Sequence, residues 1–287
     1  MKNPIETVFE VSKQILDQTN YVFLNEDKII WWAENIKAEL PNFHQAFGKI
    51  PDFCKYTQTI QGQVVEQVEH TYTNFFIYEL MANAVNYQYW FSAPEIRPNG
   101  ASANAMYACL DEAFKQSISK GYTTSVDIKN ASIRFKEFLT INRFPSLAKR
   151  IAHINELFDD CDRWAFRTKG GVIEWMADTA TRSPENLDLK EWMNRLITAF
   201  PGYGDDIFLK RASLFFMQIY RKTGLFEKQI GELPIPADYQ IPKMLRYLGC
   251  IEYLSALEDK IVHAELIPAG SLEETSIRAA SIIACKK

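Results

Sequence analysis

Apolar residues recur along most of this chain at spacings of three and four positions, which is the pattern of an amphipathic α-helix. The clearest example spans residues 104–120, where Met106, Leu110 and Phe114 share one face and Gly121 marks the expected end. Further helices are predicted over 5–18, 28–39, 71–90, 128–140, 146–158, 207–222 and 251–264. The pattern therefore predicts a mainly helical protein.

Capping residues mark the start of two more helices. Ser183-Pro184 is typical of an N-cap followed by proline at the first helical position, and an apolar face follows within 189–197. Ser271-Leu-Glu-Glu274 has the spacing of a capping box, which predicts a last helix that ends near Cys285.

Alternating strand patterns are scarce in this sequence. Gly62-Gln-Val-Val65 and Tyr21-Val-Phe-Leu24 could form short pairings, and residues 92–104 are the expected long loop. No repeat or obvious linker divides the chain. Together these patterns predict an all-α fold class with few short strands, in a single domain.

Composition agrees with one large domain or two closely packed ones. The chain has 287 residues, of which 47% are hydrophobic and 24% are charged, so a full core is available and wholesale disorder is not expected. The formal net charge is −4, without any run rich in lysine or arginine. Because phosphate neutralisation dominates the binding of long nucleic acid, this charge argues against such a partner.

The five cysteines lie far apart and form no CxxC pair. Their number and spacing argue against a metal site or a disulfide framework and favour reduced cytosolic thiols. The start Met1-Lys-Asn-Pro-Ile-Glu6 lacks the apolar core of a signal peptide, and no stretch approaches the ~18 apolar residues of a membrane helix. We therefore expect a cytoplasmic protein without a membrane partner.

An aromatic cluster, Val85-Asn-Tyr-Gln-Tyr-Trp-Phe91, ends a predicted helix and enters the long loop. The simpler interpretation is core packing, which is the usual fate of aromatic residues at helical spacing. The functional interpretation is a wall that stacks on a flat heterocycle, with Asn86 or Gln88 hydrogen-bonded to its edge. Such stacking contributes about 1–3 kcal/mol for each base.

The segment Phe200-Pro-Gly-Tyr-Gly-Asp205 leads into the helix predicted over 207–222. Its two glycines allow a tight turn whose backbone N–H groups point outward at a helix N-terminus, which is a natural anion site. Lys210 and Arg211 lie one turn into that helix. The simpler interpretation of both residues is solvated surface charge.

Three prolines stiffen the segment Pro234-Ile-Pro-Ala-Asp-Tyr-Gln-Ile-Pro242. Asp238 stands at the expected start of the next helix, where aspartate is a common N-cap. A carboxylate on such a stiff approach is also well placed to face a cleft. The local sequence leaves the cap and the working carboxylate equally open.

Taken together, these segments resemble the queuosine salvage family of queuosine 5′-phosphate N-glycosidases. The specific part of the likeness runs through Phe208-Leu-Lys210, Ala237-Asp-Tyr to Gly249, and Glu274 to Cys285. Asn86-Tyr-Gln-Tyr-Trp90 is similar to the family's Asn-aromatic-x-aromatic-Trp motif, and Phe200 to Asp205 is similar to its Phe-Pro-x-Tyr-x-Asp motif. The resemblance therefore extends over nearly the whole chain.

The resemblance implies a fold and a reaction. The family is all-helical, with a core similar to that of the helix-hairpin-helix DNA glycosylases. It implies one domain over 1–287, with an N-terminal helical part at about 1–180 and a glycosylase-like part at about 181–287. Family members hydrolyse the N-glycosidic bond of queuosine 5′-monophosphate and release queuine and ribose 5-phosphate. This nucleotide is then the expected partner of a monomer that uses no cofactor and no metal.

The resemblance also implies roles for individual residues. Asp238 matches the family's catalytic aspartate, which would stabilise an oxocarbenium-like sugar or activate water. Lys210 matches a substrate-contacting lysine that would bind phosphate or ribose oxygens. The other predicted substrate-binding residues, with the aromatic residues of 87–91 stacked on the base and the amides of 203–205 near the anion, are Asn86, Tyr87, Tyr89, Trp90, Phe91, Tyr203, Asp205 and Tyr239.

One departure from the family concerns recognition of the base. Family members usually continue past the Arg278 helix into a segment with an Asp-aromatic-aromatic-Leu-like motif that lines the base pocket, whereas this sequence stops at Lys287. Three outcomes are open: another acidic residue substitutes, the substrate differs, or activity is lost. The candidate substitutes are Asp160, Asp162 and Glu174.

Three rival functions stay open beside this one. A base-excision glycosylase acting on DNA or RNA would use the same scaffold, although the net charge of −4 argues against it. A relative that binds nucleotides without catalysis fits the absent C-terminal motif. An interaction module that contacts a partner through residues 234–242 would leave the resemblance unexplained.

Overall fold

The computed structural model describes residues 3–35, 49–89, 101–118, 125–158 and 171–286. These residues form thirteen α-helices and four short strands, which confirms the predicted all-α class. The likeness of the core to the helix-hairpin-helix glycosylases stays a prediction, as does the division near residue 180.

The helices and strands are numbered separately, each in chain order. The first seven helices are α1 (Pro4–Gln18), α2 (Glu26–Asn35), α3 (Val68–Ala84), α4 (Ala103–Ser117), α5 (Ser125–Ile141), α6 (Leu147–Phe158) and α7 (Val172–Arg182). The next six are α8 (Leu189–Ala199), α9 (Pro201–Gly204), α10 (Lys210–Thr223), α11 (Gln240–Tyr247), α12 (Ser255–Val262) and α13 (Leu272–Lys286). The strands are β1 (Val22–Leu24), β2 (Thr57–Ile60), β3 (Gln63–Glu66) and β4 (Ile251–Tyr253).

The strands form two antiparallel pairs. β2 and β3 make a hairpin, and β1 pairs with β4 so that Phe23 lies opposite Glu252. Both segments predicted to form short pairings are therefore strands. The helix predicted over 251–264 is wrong in its first part, because Gly249 ends α11 with φ of 71° and the chain then extends along β1.

Of the two helix starts predicted from capping residues, one is displaced and one is confirmed. Ser183 does not cap the helix that follows, because residues 184–186 form a 3-10 turn and Asp188 caps α8 instead. The Asp188 carboxylate accepts the N–H of Lys190 at 2.9 Å. The last helix begins as predicted, with the Ser271 hydroxyl accepting the N–H of Glu274 at 3.2 Å.

The centre of the core is α3, a helix that is buried along most of its length. Phe75, Phe76 and Leu80 on this helix are fully buried. A helix without a polar face is stable only inside a larger assembly, and α4, α6, α7 and α10 pack around it. The main core cluster extends from Ile5 to Ile282, so a continuous core joins the two ends of the chain.

A smaller apolar cluster closes the end of the molecule near the β1–β4 pair. It contains Val22, Ile29, Ile251, Leu257 and Ala284, contributed by strands and by α2, α12 and α13. The first and last helices also meet directly, since the Thr19 and Ser276 hydroxyl oxygens lie 2.9 Å apart. These contacts seat α13 firmly against the rest of the fold.

The cysteines of the described residues are free thiols. Cys54, Cys109 and Cys250 are buried and Cys285 is exposed, while Cys161 lies outside the described ranges. The residues of known placement contain no group of histidine, cysteine, aspartate and glutamate arranged to hold a metal ion. Within the described ranges, none of the helices has both the length and the apolar character needed to cross a bilayer.

One carboxyl group lies in the middle of this core. Glu79 on α3 has an exposed fraction of 0%. It accepts hydrogen bonds from the Tyr107 hydroxyl at 2.9 Å and from the Asn83 amide at 3.1 Å, and Lys222 Nζ lies 3.8 Å away. Burial raises the pKa of Glu79 to about 7, although Lys222 and the hydrogen bonds favour the ionised form.

This raised pKa predicts a stability that falls as the pH increases. Folded Glu79 keeps its proton up to about pH 7, whereas the unfolded group loses it near 4.5, so unfolding releases a proton between these values. The free energy of unfolding should therefore decrease over this window by up to about 3 kcal/mol from this group. Urea denaturation of the wild type and of Glu79→Gln at several pH values measures the difference.

The expected result is that Glu79→Gln gains stability relative to the wild type as the pH rises from 4.5 to 8. Glu191→Gln is the matched control, because Glu191 is an exposed helix residue paired with Arg195. A difference between Glu79→Gln and the wild type that stays constant across this range would contradict the assignment.

Candidate active site

The first residue of α10 brings a lysine amine to the end of α3. Lys210 Nζ donates a hydrogen bond to the Asn86 carbonyl at 3.0 Å and lies 3.7 Å from Asp238 Oδ2. The Lys210 side chain is only 13% exposed, and that of Asp238 is 32% exposed. Two residues 28 positions apart in the sequence thus form a half-buried ion pair.

The start of α10 lies three residues later than predicted, and this delay positions Lys210. The Asp206 carboxylate accepts the N–H groups of Phe208 at 3.2 Å and Lys210 at 3.1 Å. Leu209 between them has φ of 50°, so the chain turns sharply before the helix begins. The helix therefore begins at a fixed point, and Lys210 is its first residue.

Asp238 caps the start of α11 and also faces Lys210, while its catalytic role stays a prediction. Its Oδ1 atom accepts the N–H of Gln240, the first residue of α11, at 2.8 Å. The other oxygen, Oδ2, is directed towards Lys210. The preceding residues Pro234, Pro236 and Ala237 are buried, so the carboxylate stands on an anchored segment.

Burial and neighbouring charges both shift the pKa of Lys210. Burial lowers the pKa of its amine, Asp238 raises it, and the guanidinium of Arg278 lowers it further. The net pKa lies below the ordinary value of 10.5. The amine is therefore more easily deprotonated than that of a surface lysine.

Arg278 of α13 joins the segment that carries Asp238 to the turn that precedes Lys210. Its Nε donates to the Ala237 carbonyl at 3.1 Å, and a terminal nitrogen donates to Asp206 Oδ2 at 2.6 Å. Burial raises the pKa of Asp206, but Arg278 and the backbone N–H donors outweigh that effect, so the pKa is lowered overall. Asp206 is thus held as a carboxylate.

The turn after α3, over residues 85–89, is built around another arginine. Arg150 of α6 is fully buried, and its nitrogens donate to the carbonyls of Val85, Tyr87 and Gln88 and, at 2.8 Å, to that of Pro145. Carbonyls at the C-terminal end of α3 attract a cation. This network fixes a tight turn and ends α3 at Ala84, before the predicted residue 90.

The structure places several predicted site residues on that turn. Asn86 binds Lys210 through its carbonyl, and its side-chain oxygen accepts the Tyr89 hydroxyl at 2.8 Å. Tyr87 and Tyr89 both face the guanidinium of Arg150, at 4.6 and 5.0 Å from ring centroid to carbon. Tyr87 and Tyr89 are thus packed against a buried arginine. Their stacking on a base stays a prediction.

The remaining predicted residues are spread around this centre. Tyr203 is buried, with its N–H bound to the Phe200 carbonyl at 2.8 Å and its hydroxyl donated to the Leu80 carbonyl, which are packing contacts. Asp205 pairs with Arg211, and Tyr239 is exposed next to Asp238. The predicted substrate contacts of these residues stay predictions.

Some predicted residues cannot be placed in the site. Trp90 and Phe91 lie outside the described residues, as do Asp160 and Asp162. Glu174 is half-buried in the first turn of α7. Its suggested part in recognising the base stays a prediction.

A surface cleft of about 720 Å³ lies elsewhere, between α2 and α11. It is lined by Asp27, Lys28, Trp31, Trp32, Tyr247 and Leu248. Both of its charged residues are exposed, whereas the Lys210–Asp238 pair is half-buried and held by hydrogen bonds. The ion pair is therefore the better candidate for chemistry.

Asp206, Arg150 and the role of Arg278 were not predicted from the sequence. Asp206 directly follows the glycine-containing segment 200–205, and Arg278 lies in the resembling segment 274–285, so both carried a weak signal. Arg150 had none, because a single arginine on a predicted amphipathic helix usually faces solvent.

Most of this chain is similar to known proteins. The model of the family described as queuosine salvage protein matches residues 66–287. A protein of Sphaerobacter thermophilus named queuosine 5′-phosphate N-glycosylase/hydrolase is 30% identical over 224 residues, which cover 71% of this chain and 66% of that protein. Proteins of the same name from Mus musculus and Bos taurus are 24% and 22% identical, over 70% of this chain and 63% of each relative. The chain thus spans less than two thirds of the length of these relatives.

Arg150 allows a test of how the turn over 85–89 is held. Replacing it by methionine keeps the apolar stem but leaves the four carbonyl acceptors without their donor. Since each buried unsatisfied carbonyl costs about 1–3 kcal/mol, Arg150→Met should lower the free energy of unfolding by about 3 kcal/mol or more. Urea denaturation measures this loss.

Arg195→Met is the control for that experiment. Arg195 also lies over an aromatic ring, Trp175, at 4.0 Å, but it is exposed and pairs only with Glu191 among the described contacts. The control should lose no more than about 1 kcal/mol. Equal losses in the two variants would show that the carbonyl network contributes little.

Proposed function

The chain belongs to the queuosine salvage protein family, and we propose on that basis that it hydrolyses the N-glycosidic bond of queuosine 5′-monophosphate. The products are queuine and ribose 5-phosphate. The relatives named for this activity align over about 70% of the chain, and the family model covers residues 66–287, which include the Lys210–Asp238 pair. The observation that supports the proposal most directly is this half-buried pair, with its amine 3.7 Å from the carboxylate.

The reaction exchanges one bond at the anomeric carbon for another. The C1′–N9 bond breaks with its electron pair on the base, and the oxygen of water bonds to C1′. Of the two water protons, one goes to the base and the other stays on the new hydroxyl. The carbon at position 7 of a 7-deazaguanine cannot be protonated like the N7 of guanine, so stabilising the sugar cation becomes the larger task.

Asp238 suits that task through its charge and its fixed position. A carboxylate near C1′ stabilises an oxocarbenium-like sugar electrostatically, or accepts a proton from the attacking water. The hydrogen bond from the Gln240 N–H holds Oδ1, while Oδ2 is directed towards Lys210. The group therefore needs little reorganisation during the reaction.

Lys210 suits the binding of the phosphate or the ribose oxygens. Its amine is a compact positive charge at a helix N-terminus, where the helix dipole also favours anions. Asn86 and Tyr89 stand beside it, so a base bound next to the sugar would lie against the turn over 85–89. We also propose, as the sequence predicts, that the protein acts as a cytoplasmic monomer.

The activity can be tested with the purified protein and queuosine 5′-monophosphate. Free queuine should appear, as measured by chromatography, and Asp238→Asn should release it about 10³-fold more slowly, as for other preorganised electrostatic groups. Asp259→Asn is the control, because Asp259 is an exposed aspartate on α12.

Each outcome of that experiment has a distinct meaning. No release by the wild type, with tight binding of the nucleotide, would contradict catalysis and favour a binding protein. Undiminished release by Asp238→Asn would contradict the role of Asp238 alone. Release from a labelled duplex instead of the nucleotide would revive the base-excision alternative.

The lowered pKa of Lys210 predicts an alkaline limit to activity. The charged amine binds the substrate below its pKa and the neutral amine does not, so kcat/KM should fall as the pH rises through that pKa. Because burial lowers the pKa, the midpoint should lie below the 10.5 of an ordinary lysine. A pH profile of initial rates measures it.

Lys210→Arg serves as the comparison. Arginine keeps its charge to a pKa of about 12 or more, so the alkaline decrease should move up or disappear in this variant, whatever the cost to the rate. An identical alkaline limb in both proteins would assign the decrease to another group.

A further inference from the structure

We propose that Arg278 and Asp206 form a positioning pair that sets the separation between Lys210 and Asp238. The assignment of a reaction to that site rests on the function proposed above. Neither residue of the pair needs to touch the substrate, since each acts through the ion pair that it holds.

Arg278 holds the segment that carries Asp238. Its Nε donates to the carbonyl of Ala237, the residue immediately before Asp238, at 3.1 Å. Since this bond is made to the backbone, it fixes the position from which the carboxylate projects. Arg278 belongs to α13, whose neighbouring residues Ala279 and Ile282 are buried in the core.

Asp206 holds the residue that carries the amine. Its Oδ2 atom accepts the backbone N–H of Lys210 at 3.1 Å and the Arg278 guanidinium at 2.6 Å. One carboxylate oxygen therefore joins the start of α10 to α13. The connected path runs from Ala237 through Arg278 and Asp206 to Lys210, and every link in it is a hydrogen bond.

The surroundings of Arg278 limit its freedom. Its guanidinium carbon lies 4.5 Å from the centre of the Phe208 ring, and the other terminal nitrogen is 3.4 Å from Glu274 Oε1. The side chain is 17% exposed and that of Asp206 is 19% exposed. A planar fork with donors on two sides can bridge a carbonyl and a carboxylate, whereas a lysine amine is a single point.

The first test measures rates in two arginine variants. Arg278→Met removes the bridge and the charge, and Arg278→Lys keeps the charge but not the fork. Because a misplacement of about 1 Å can cost about 10²-fold in rate, both variants should lower kcat by about 10- to 100-fold. Arg246→Met is the control, since Arg246 also pairs with a carboxylate, Glu258, and lies 5.8 Å from an aromatic ring.

The second test detects the separation without any need for activity. Lysine labelled with ¹³C at Cε reports the pKa of Lys210 by NMR, and the signal is assigned by its loss in Lys210→Met. In otherwise wild-type protein, Asp238→Asn should lower this pKa, because Asp238 favours the charged amine. The size of that decrease measures how close the two groups are.

The same substitution should have a smaller effect in the Arg278→Met and Arg278→Lys backgrounds, where the pair can separate. An unchanged decrease in both backgrounds would overturn the proposal, as would a kcat within twofold of the wild type in an active enzyme. Thermal denaturation shows that the variants are folded, and Arg278→Lys remains informative should Arg278→Met not fold. A wild type that releases no queuine would refute the proposed function, while the NMR cycle would still decide the positioning role.

Discussion

The backbone N–H groups at the start of a helix have no partners within the helix, and the candidate site depends on how α10 meets this requirement. Asp206 accepts the first of these groups, that of Lys210, together with the N–H of Phe208 in the preceding turn. Once the carboxylate is committed to them, it becomes a buried anion that needs a cation, and Arg278 provides it. The same Asp206 carboxylate therefore caps the helix, forms the ion pair and makes the contact with α13. The amine and carboxylate of the site are arranged around it.

A similar compensation operates at the C-terminal end of α3. This helix is buried on nearly all sides, so its last carbonyls have little access to water. Arg150 satisfies the carbonyls of the turn that follows, and the aromatic rings of Tyr87 and Tyr89 lie against its guanidinium. The turn is consequently rigid where it presents the Asn86 carbonyl to Lys210. Glu79, further back on the same helix, shows the opposite response to burial, because its raised pKa favours the neutral acid.

Local patterns predicted most of the helices, whereas the resemblance to the family singled out Lys210 and Asp238. α4 and α13 follow directly from apolar spacing and capping residues, and the stretch around Asp238 stood out because prolines flank it. The same patterns missed α7 and β4, since β4 is a strand only because β1 lies beside it. Arg150 and Arg278 act on residues more than 40 positions away. Such roles depend on tertiary placement, which no local pattern contains.

The position of Arg278 in α13 has a consequence for how the protein is made. A chain is synthesised from its N-terminus, and its early segments begin to fold before later ones emerge. Lys210 and Asp238 are made before the arginine that bridges their segments, and α13 must also dock against α1, at the opposite end of the chain. An early intermediate can therefore contain both chemical groups without their final spacing. On a ribosome, the amine and the carboxylate reach their final spacing only after α13 has been synthesised and has docked.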